Sequence, residues 1–189
     1  MKTLLPPTTM KTLLAFTLLL TVSPVAFGQH PIIVTAPVSQ AVPEGGTAYL
    51  HVEAAGILPL TYTWRRNREA TNYYQVTLDS THCTLVLSNL TPAQACFFSL
   101  DVNNAYGYAG GKQVIVAVLS AGMETNGFAL TIRGLTNSTW RIDCSTNLAT
   151  SGWFTLTNFS IPRSPPLFKF VDLEGTNRSR FYQVIPKVN

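Results

Sequence analysis

The sequence predicts an all-β fold, a β-sandwich followed by a smaller second β domain, on three observations. From Ile32 onward, apolar and polar residues alternate in short runs. Those runs are bounded by Gly, Pro and Asn. No helical period of useful length appears in the second unit, residues 120–189. Period-two patterning between turn residues is the signature of half-buried strands.

The first segment in order, residues 1–28, reads as a signal peptide. Lys11 supplies a positive start, Leu13 to Val22 is an apolar run, and Ser23-Pro24 breaks it. Ala26-Phe27-Gly28 places small residues at the −3 and −1 positions, so cleavage is expected before Gln29. The run is shorter than the roughly 20 apolar residues a spanning helix needs. The expected destination is secretion or the cell envelope (extracellular, periplasmic or outer surface), with no transmembrane segment after cleavage.

The chain carries 13 Lys and Arg against 9 Asp and Glu. Removing Lys2 and Lys11 leaves 11 against 9, a mature charge of about +2. Arg65, Arg66 and Arg68 lie around one turn, and Arg178 and Arg180 near the end. Useful affinity for nucleic acid rests on many phosphate contacts, so no nucleic-acid partner is expected. Cys83, Cys96 and Cys144 match no CxxC motif, and Cys83 and Cys144 read as small core hydrophobes.

Residues 30–119 form the first domain. Pro43-Glu44-Gly45-Gly46 is a turn, and Ala48, Leu50, Val52 and Ala54 then point inward while Tyr49, His51 and Glu53 point outward. Leu60, Tyr62 and Trp64 line the next inward row. Leu85, Leu87 and the corner residue Leu90 follow, then Phe98, Leu100 and Val102. Asn103 to Gly107 makes a tight turn, and Val114, Val116 and Val118 complete the set.

These landmarks, Pro43-x-Gly-Gly, Leu50-x-Val52, Pro59-Leu60-x-Tyr62-x-Trp64, Leu85-x-Leu87-x-x-Leu90 and Asn103-x-Ala105-x-Gly107, resemble an intermediate-set immunoglobulin-like domain. That variety is abundant in bacterial secreted and surface proteins. The resemblance implies that Trp64 is the core tryptophan and that Val52 and Leu100 stand at the two half-cystine positions. An aliphatic contact would then replace a bridge that usually contributes about 2–4 kcal/mol. Phe98 stands where the family carries the tyrosine whose hydroxyl ties the corner. Arg68 stands where the family prefers Gly.

Residues 120–127 are small and polar and read as a linker. The C-terminal β module, residues 128–189, shows strand rows at Phe128-Leu130-Ile132, Trp140-Ile142-Cys144, Trp153 to Leu156, Leu167 to Val171 and Phe181 to Ile185. The phrases Trp140-Arg-Ile142-Asp-Cys-Ser145-Thr-Asn-Leu148, Gly152-Trp153, Phe170-Val-Asp172 and Arg180-Phe-Tyr-Gln-Val184 resemble a small module at the ends of large secreted bacterial proteins. The resemblance implies a role in assembly or surface attachment.

Chemistry is thin. His30, His51 and His82 are the only histidines, and His51 reads as a surface residue without a second ligand at metal spacing. No nucleophile elbow, zincin, phosphate-loop or dinucleotide motif occurs. Asp172 to Asn177 has a calcium-loop look that a strand-connecting turn also explains. We therefore expect no enzyme activity, no cofactor and no metal site, the rival reading being a hydrolase whose site folding assembles. The candidate binding residues are Tyr73 and Tyr74, in a loop-rich stretch, and Tyr106 and Tyr108, beside the later turn. Tyrosines at loop tips serve recognition of proteins or sugar rings, and equally pack over a sandwich edge. The expected function is a secreted or cell-surface binding or structural protein, with a protein or a cell-surface glycan as partner.

Overall fold

A computed structural model describes residues 29–67, 71–148, 152–175 and 179–187. The expected signal peptide, Arg68 and part of the calcium-like loop lie outside the described residues.

The strands are β1 (Ile32–Thr35), β2 (Gln40–Pro43), β3 (Ala48–Ala55), β4 (Leu60–Arg66), β5 (Tyr73–Leu78), β6 (His82–Leu87), β7 (Cys96–Asn104), β8 (Gly107–Glu124), β9 (Gly127–Arg133), β10 (Thr139–Ser145), β11 (Phe154–Ser160), β12 (Leu167–Asp172) and β13 (Phe181–Pro186). One three-stranded sheet runs β1-β3-β6 and a second runs β11-β10-β13. The third sheet, of seven strands, runs β12-β9-β8-β7-β4-β5, with β2 parallel to β8.

The first sandwich encloses the rows the alternation predicts. Ala48, Leu50, Val52 and Ala54 from β3 meet Leu60, Tyr62 and Trp64 from β4, Phe98, Leu100 and Val102 from β7, and Val114, Val116 and Val118 from β8. Trp64 sits directly opposite Leu100, and Val52 opposite Cys83. None of the three cysteines forms a disulfide and all are buried, Cys83 and Cys96 in this core and Cys144 beside Arg180 and Asp172. Burial raises the Cys83 thiol pKa. The Trp64 indole N–H, which has no nitrogen or oxygen acceptor, faces that sulfur.

Backbone bonds hold the corner that the missing tyrosine hydroxyl would have tied. Gly45 donates to the Leu90 carbonyl at 2.7 Å, and Leu90 donates to the Gly46 carbonyl at 3.1 Å. A Cβ on Gly46 would lie 2.7 Å from the Pro43 carbonyl oxygen, so this close approach needs glycine. Asn67 takes the left-handed conformation at the end of β4, at φ 50°.

Three expectations change. Residues 120–127 are not a linker: β8 continues through Glu124 and pairs residue by residue with β9, from Val118↔Arg133 to Glu124↔Gly127. The composition misleads because Ala121 to Glu124 are all exposed while their backbone remains in the sheet. The loop-rich stretch holding Tyr73 and Tyr74 is the edge strand β5, all of it exposed except Leu78. The strand expected at Trp153 to Leu156 begins at Phe154 and runs to Ser160, bringing Phe159 into a core.

That second core lies on the other face of β8. Ala117 packs with Leu130, Ile132, Trp140, Ile142, Phe159 and Ile161, and Ile115 and Leu119 flank them. β8 is therefore apolar on both faces over Val114 to Leu119. Even-numbered residues fill the first core and odd-numbered ones the second. Two carboxylates are buried nearby. Asp143 accepts bonds from Arg141, Thr155 and Gln183. Asp172 accepts from Arg180 and Tyr182, each at 2.8 Å.

Candidate functional site

The four tyrosines do not form one surface. Tyr74 lies opposite Trp64 on β4, whereas Tyr108 lies opposite Asn103, itself opposite Thr61. Three residues along β4 and three strand spacings across the sheet put the two groups roughly 17 Å apart. They belong to opposite ends of the sandwich, because β4 runs from one to the other.

Tyr74 is on the core side of the sheet. Its ring lies 6.3 Å from that of Phe98, and it lines a groove of about 160 Å³ with Trp64, Val76, Cys83 and Leu85. Tyr73 faces outward beside Arg65, whose guanidinium pairs with Asp101. Packing over a sandwich edge therefore describes Tyr74, although about half its surface stays exposed.

Tyr106 and Tyr108 occupy the β7–β8 hairpin and are 55% and 74% exposed. Asn104 organises this end. Its side-chain oxygen accepts the Tyr106 N–H at 2.9 Å, and its amide donates to the carbonyls of Gln29 and Ile57, at 2.6 and 2.9 Å. The hairpin is thus tied to the β3–β4 loop, where Ile57 and Leu58 are also exposed. Sequence reasoning missed this pair. The available signal was two adjacent aliphatics between Gly56 and Pro59, where a turn would ordinarily carry polar residues. Together the two loops present aromatic and aliphatic side chains on a backbone held by side-chain hydrogen bonds.

His51 has closer company than the sequence suggested. Antiparallel pairing of β3 with β6 stacks its ring on His82 at 5.9 Å, and the His82 Nε2 lies 3.5 Å from Glu53. Thr84 is bonded to His51 Nδ1 at 3.0 Å. Among the described residues, no group of three His, Cys, Asp or Glu side chains is arranged to hold a metal ion. Asp172 accepts hydrogen bonds from Arg180, Tyr182 and the Glu174 N–H. Burial, and the bond to Asp172, raise the Tyr182 phenol well above its usual range.

The fold and its exposed loop end define the class: an immunoglobulin-like β-sandwich carrying a second, smaller sandwich on β8. No protein-family model matches the chain, and no characterised protein matches it in sequence. Solved structures similar to it include the titin M3 domain, 16% identical over 48% of this chain and 97% of that one, with a TM-score of 0.41. The titin M10–obscurin-like 1 Ig complex matches at 22% identity, 51% and 100% coverage and a TM-score of 0.43. Dpr1 IG1 bound to DIP-eta IG1 matches at 12% identity, 47% and 94% coverage and a TM-score of 0.40. Among the described residues, no helix is long and apolar enough to cross a membrane.

Proposed function

We propose that this chain is an exported, non-catalytic binding protein that engages a protein partner through the loop end formed by Ile57, Leu58, Tyr106 and Tyr108. One observation carries the reading: exposed apolar and aromatic side chains stand on two loops joined by Asn104. Rigid tyrosines give large contact area at low entropic cost, which is the economy of recognition surfaces. The split of the first strand, with β1 in one sheet and β2 parallel to β8 in the other, supports an intermediate-set assignment. The signal-like residues 1–28 support secretion or display at the surface of a bacterial cell, and the C-terminal unit would serve attachment or assembly there. N-terminal sequencing of the exported protein should begin at Gln29.

The test is capture of surface proteins by the purified protein, beside a glycan array. Tyr108→Ala and Tyr106→Ala should each weaken capture at least about fivefold, as truncation of an interface anchor does, while Tyr73→Ala leaves it unchanged. Saturable sugar binding lost in the same variants, with no protein captured, would replace the protein partner with a glycan. Turnover in a hydrolase screen, abolished by one carboxylate substitution, would overturn the non-catalytic reading.

A further inference from the structure

The strand β5 ends the seven-stranded sheet, and no described strand pairs with its outer side. A free strand edge is a row of unmet N–H and C=O groups that templates pairing with another chain. The direction of those groups follows from the ladder. Arg66 donates to the Asn72 carbonyl, so even-numbered residues of β5 bond to β4. Tyr73, Gln75 and Thr77 therefore aim their backbone groups away from the sheet.

Most other edges of the molecule carry interruptions that this one lacks, β6 being the exception with an unbroken register against β3. β12 holds Lys169 and follows Pro165-Pro166, β13 ends in Pro186, and the β10–β11 ladder is interrupted by a register shift. β5 reads Tyr-Tyr-Gln-Val-Thr-Leu, without charge, proline or glycine, and its register with β4 is unbroken over all six residues.

The same segment is complementary to itself. About a twofold axis at Gln75, antiparallel pairing sets Tyr73 against Thr77 of a second copy, Tyr74 against Val76, and Gln75 against Gln75. Each is an aromatic–β-branched or amide pair of the kind that stabilises neighbouring strands, and no like charges meet. Tyr73, Gln75 and Thr77 then stand in hydrogen-bonded pairs, the ones their outward backbone groups require. On the core side, Tyr74 and Val76 of the second copy would extend over the groove bounded by Trp64, Cys83 and Leu85.

We propose that β5 is a homodimerisation edge, through which two copies of this chain join their seven-stranded sheets antiparallel about Gln75. The contact is isologous, so it closes at two copies. It lies at the opposite end of the sandwich from Tyr106 and Tyr108 and does not depend on what they bind.

Sedimentation equilibrium of the purified protein over a concentration series tests the proposal. The weight-average mass is expected to rise from one to two chains and to stop there. Gln75→Pro removes an outward N–H without breaking a backbone bond to β4, and Thr77→Lys places a charge on the edge; each loses one side-chain bond to β4, that of Gln75 to Thr63 and that of Thr77 with Thr61. Both variants should remain monomeric at concentrations where the parent is dimeric, with unchanged circular dichroism. Gln75→Cys should be joined to a second copy by a short bis-maleimide many times faster than Met123→Cys, an exposed control on β8. A parent that stays monomeric throughout, a dimer that survives both edge variants, or equal crosslinking of the two cysteines would overturn the proposal.

Discussion

Tyr182 shows how one buried hydroxyl couples the second core to pH. It donates to Asp172 at 2.8 Å, beside the Arg180 guanidinium that donates to the same carboxylate. Burial and that bond both favour the neutral phenol, so its folded pKa lies above the unfolded value near 10. The unfolded chain then loses this proton first. The stabilisation is complete below about pH 10 and is lost as pH rises beyond it. Tyr62, Cys83 and Cys144 are raised in the same direction, also led by burial. Denaturant midpoints should therefore fall on the alkaline side, starting near the ordinary thiol and phenol values. Tyr182→Phe should be less stable near neutrality, because it removes a bond to a buried carboxylate, and should show a shallower alkaline decline. A variant curve parallel to the parent's would assign the decline to other groups. At this scale sequence was a poor guide. Asp172, Arg180 and Tyr182 are close in the chain, but only the placement of β12 and β13 in the two sheets of the second sandwich decides that the carboxylate meets a guanidinium.

Among the elements, β3, β4 and β7 form the part of the fold that the residue pattern disclosed most fully. Val52, Trp64 and Leu100 are each at most 1% exposed, as expected for a sandwich whose bridge is replaced by apolar packing. Val52→Cys with Leu100→Cys should form that bridge. Closing a loop of about 50 residues removes chain entropy equivalent to about 4 kcal/mol, so the oxidised variant should melt clearly above its own reduced form. Five alkylated thiols in the denatured, oxidised variant instead of three, measured by mass shift, would contradict the facing of β3 and β7. By contrast, β5 has no buried-exposed alternation to detect, because as an edge strand it has lost the covering layer on one side. Its residues looked like a loop for the same reason that they remain available for pairing.

For the molecule as a whole, the decisive element is β8. Its 18 residues pair with β7 and then with β9, and its two faces serve two cores. Loss of the second unit would uncover Ile115, Ala117 and Leu119, so the two cores are expected to unfold together. Ala117 is fully buried, and Ala117→Glu places a carboxylate without a partner among Ile132, Trp140 and Ile142. Burying an unpaired charge costs several kcal/mol. Urea unfolding followed by tryptophan fluorescence should show one transition for the parent and a markedly lower midpoint for the variant. An unchanged midpoint would mean that the second core adds nothing to the first.

Local chemistry determined much of this protein without help from tertiary contacts. Period-two alternation assigned the inward rows, because a strand has only two faces, and Gly45-Gly46 and Asn104 marked turns through their own conformational and hydrogen-bonding preferences. Tertiary structure decided what depends on neighbours distant in sequence. Ile115, Ala117 and Leu119 could have faced water; the second unit buries them. Four exposed tyrosines could have formed one surface; strand order sends two to a dimerising edge and two to a loop end. Exposure and proximity are properties of packing, and alternation records only the face on which a side chain begins.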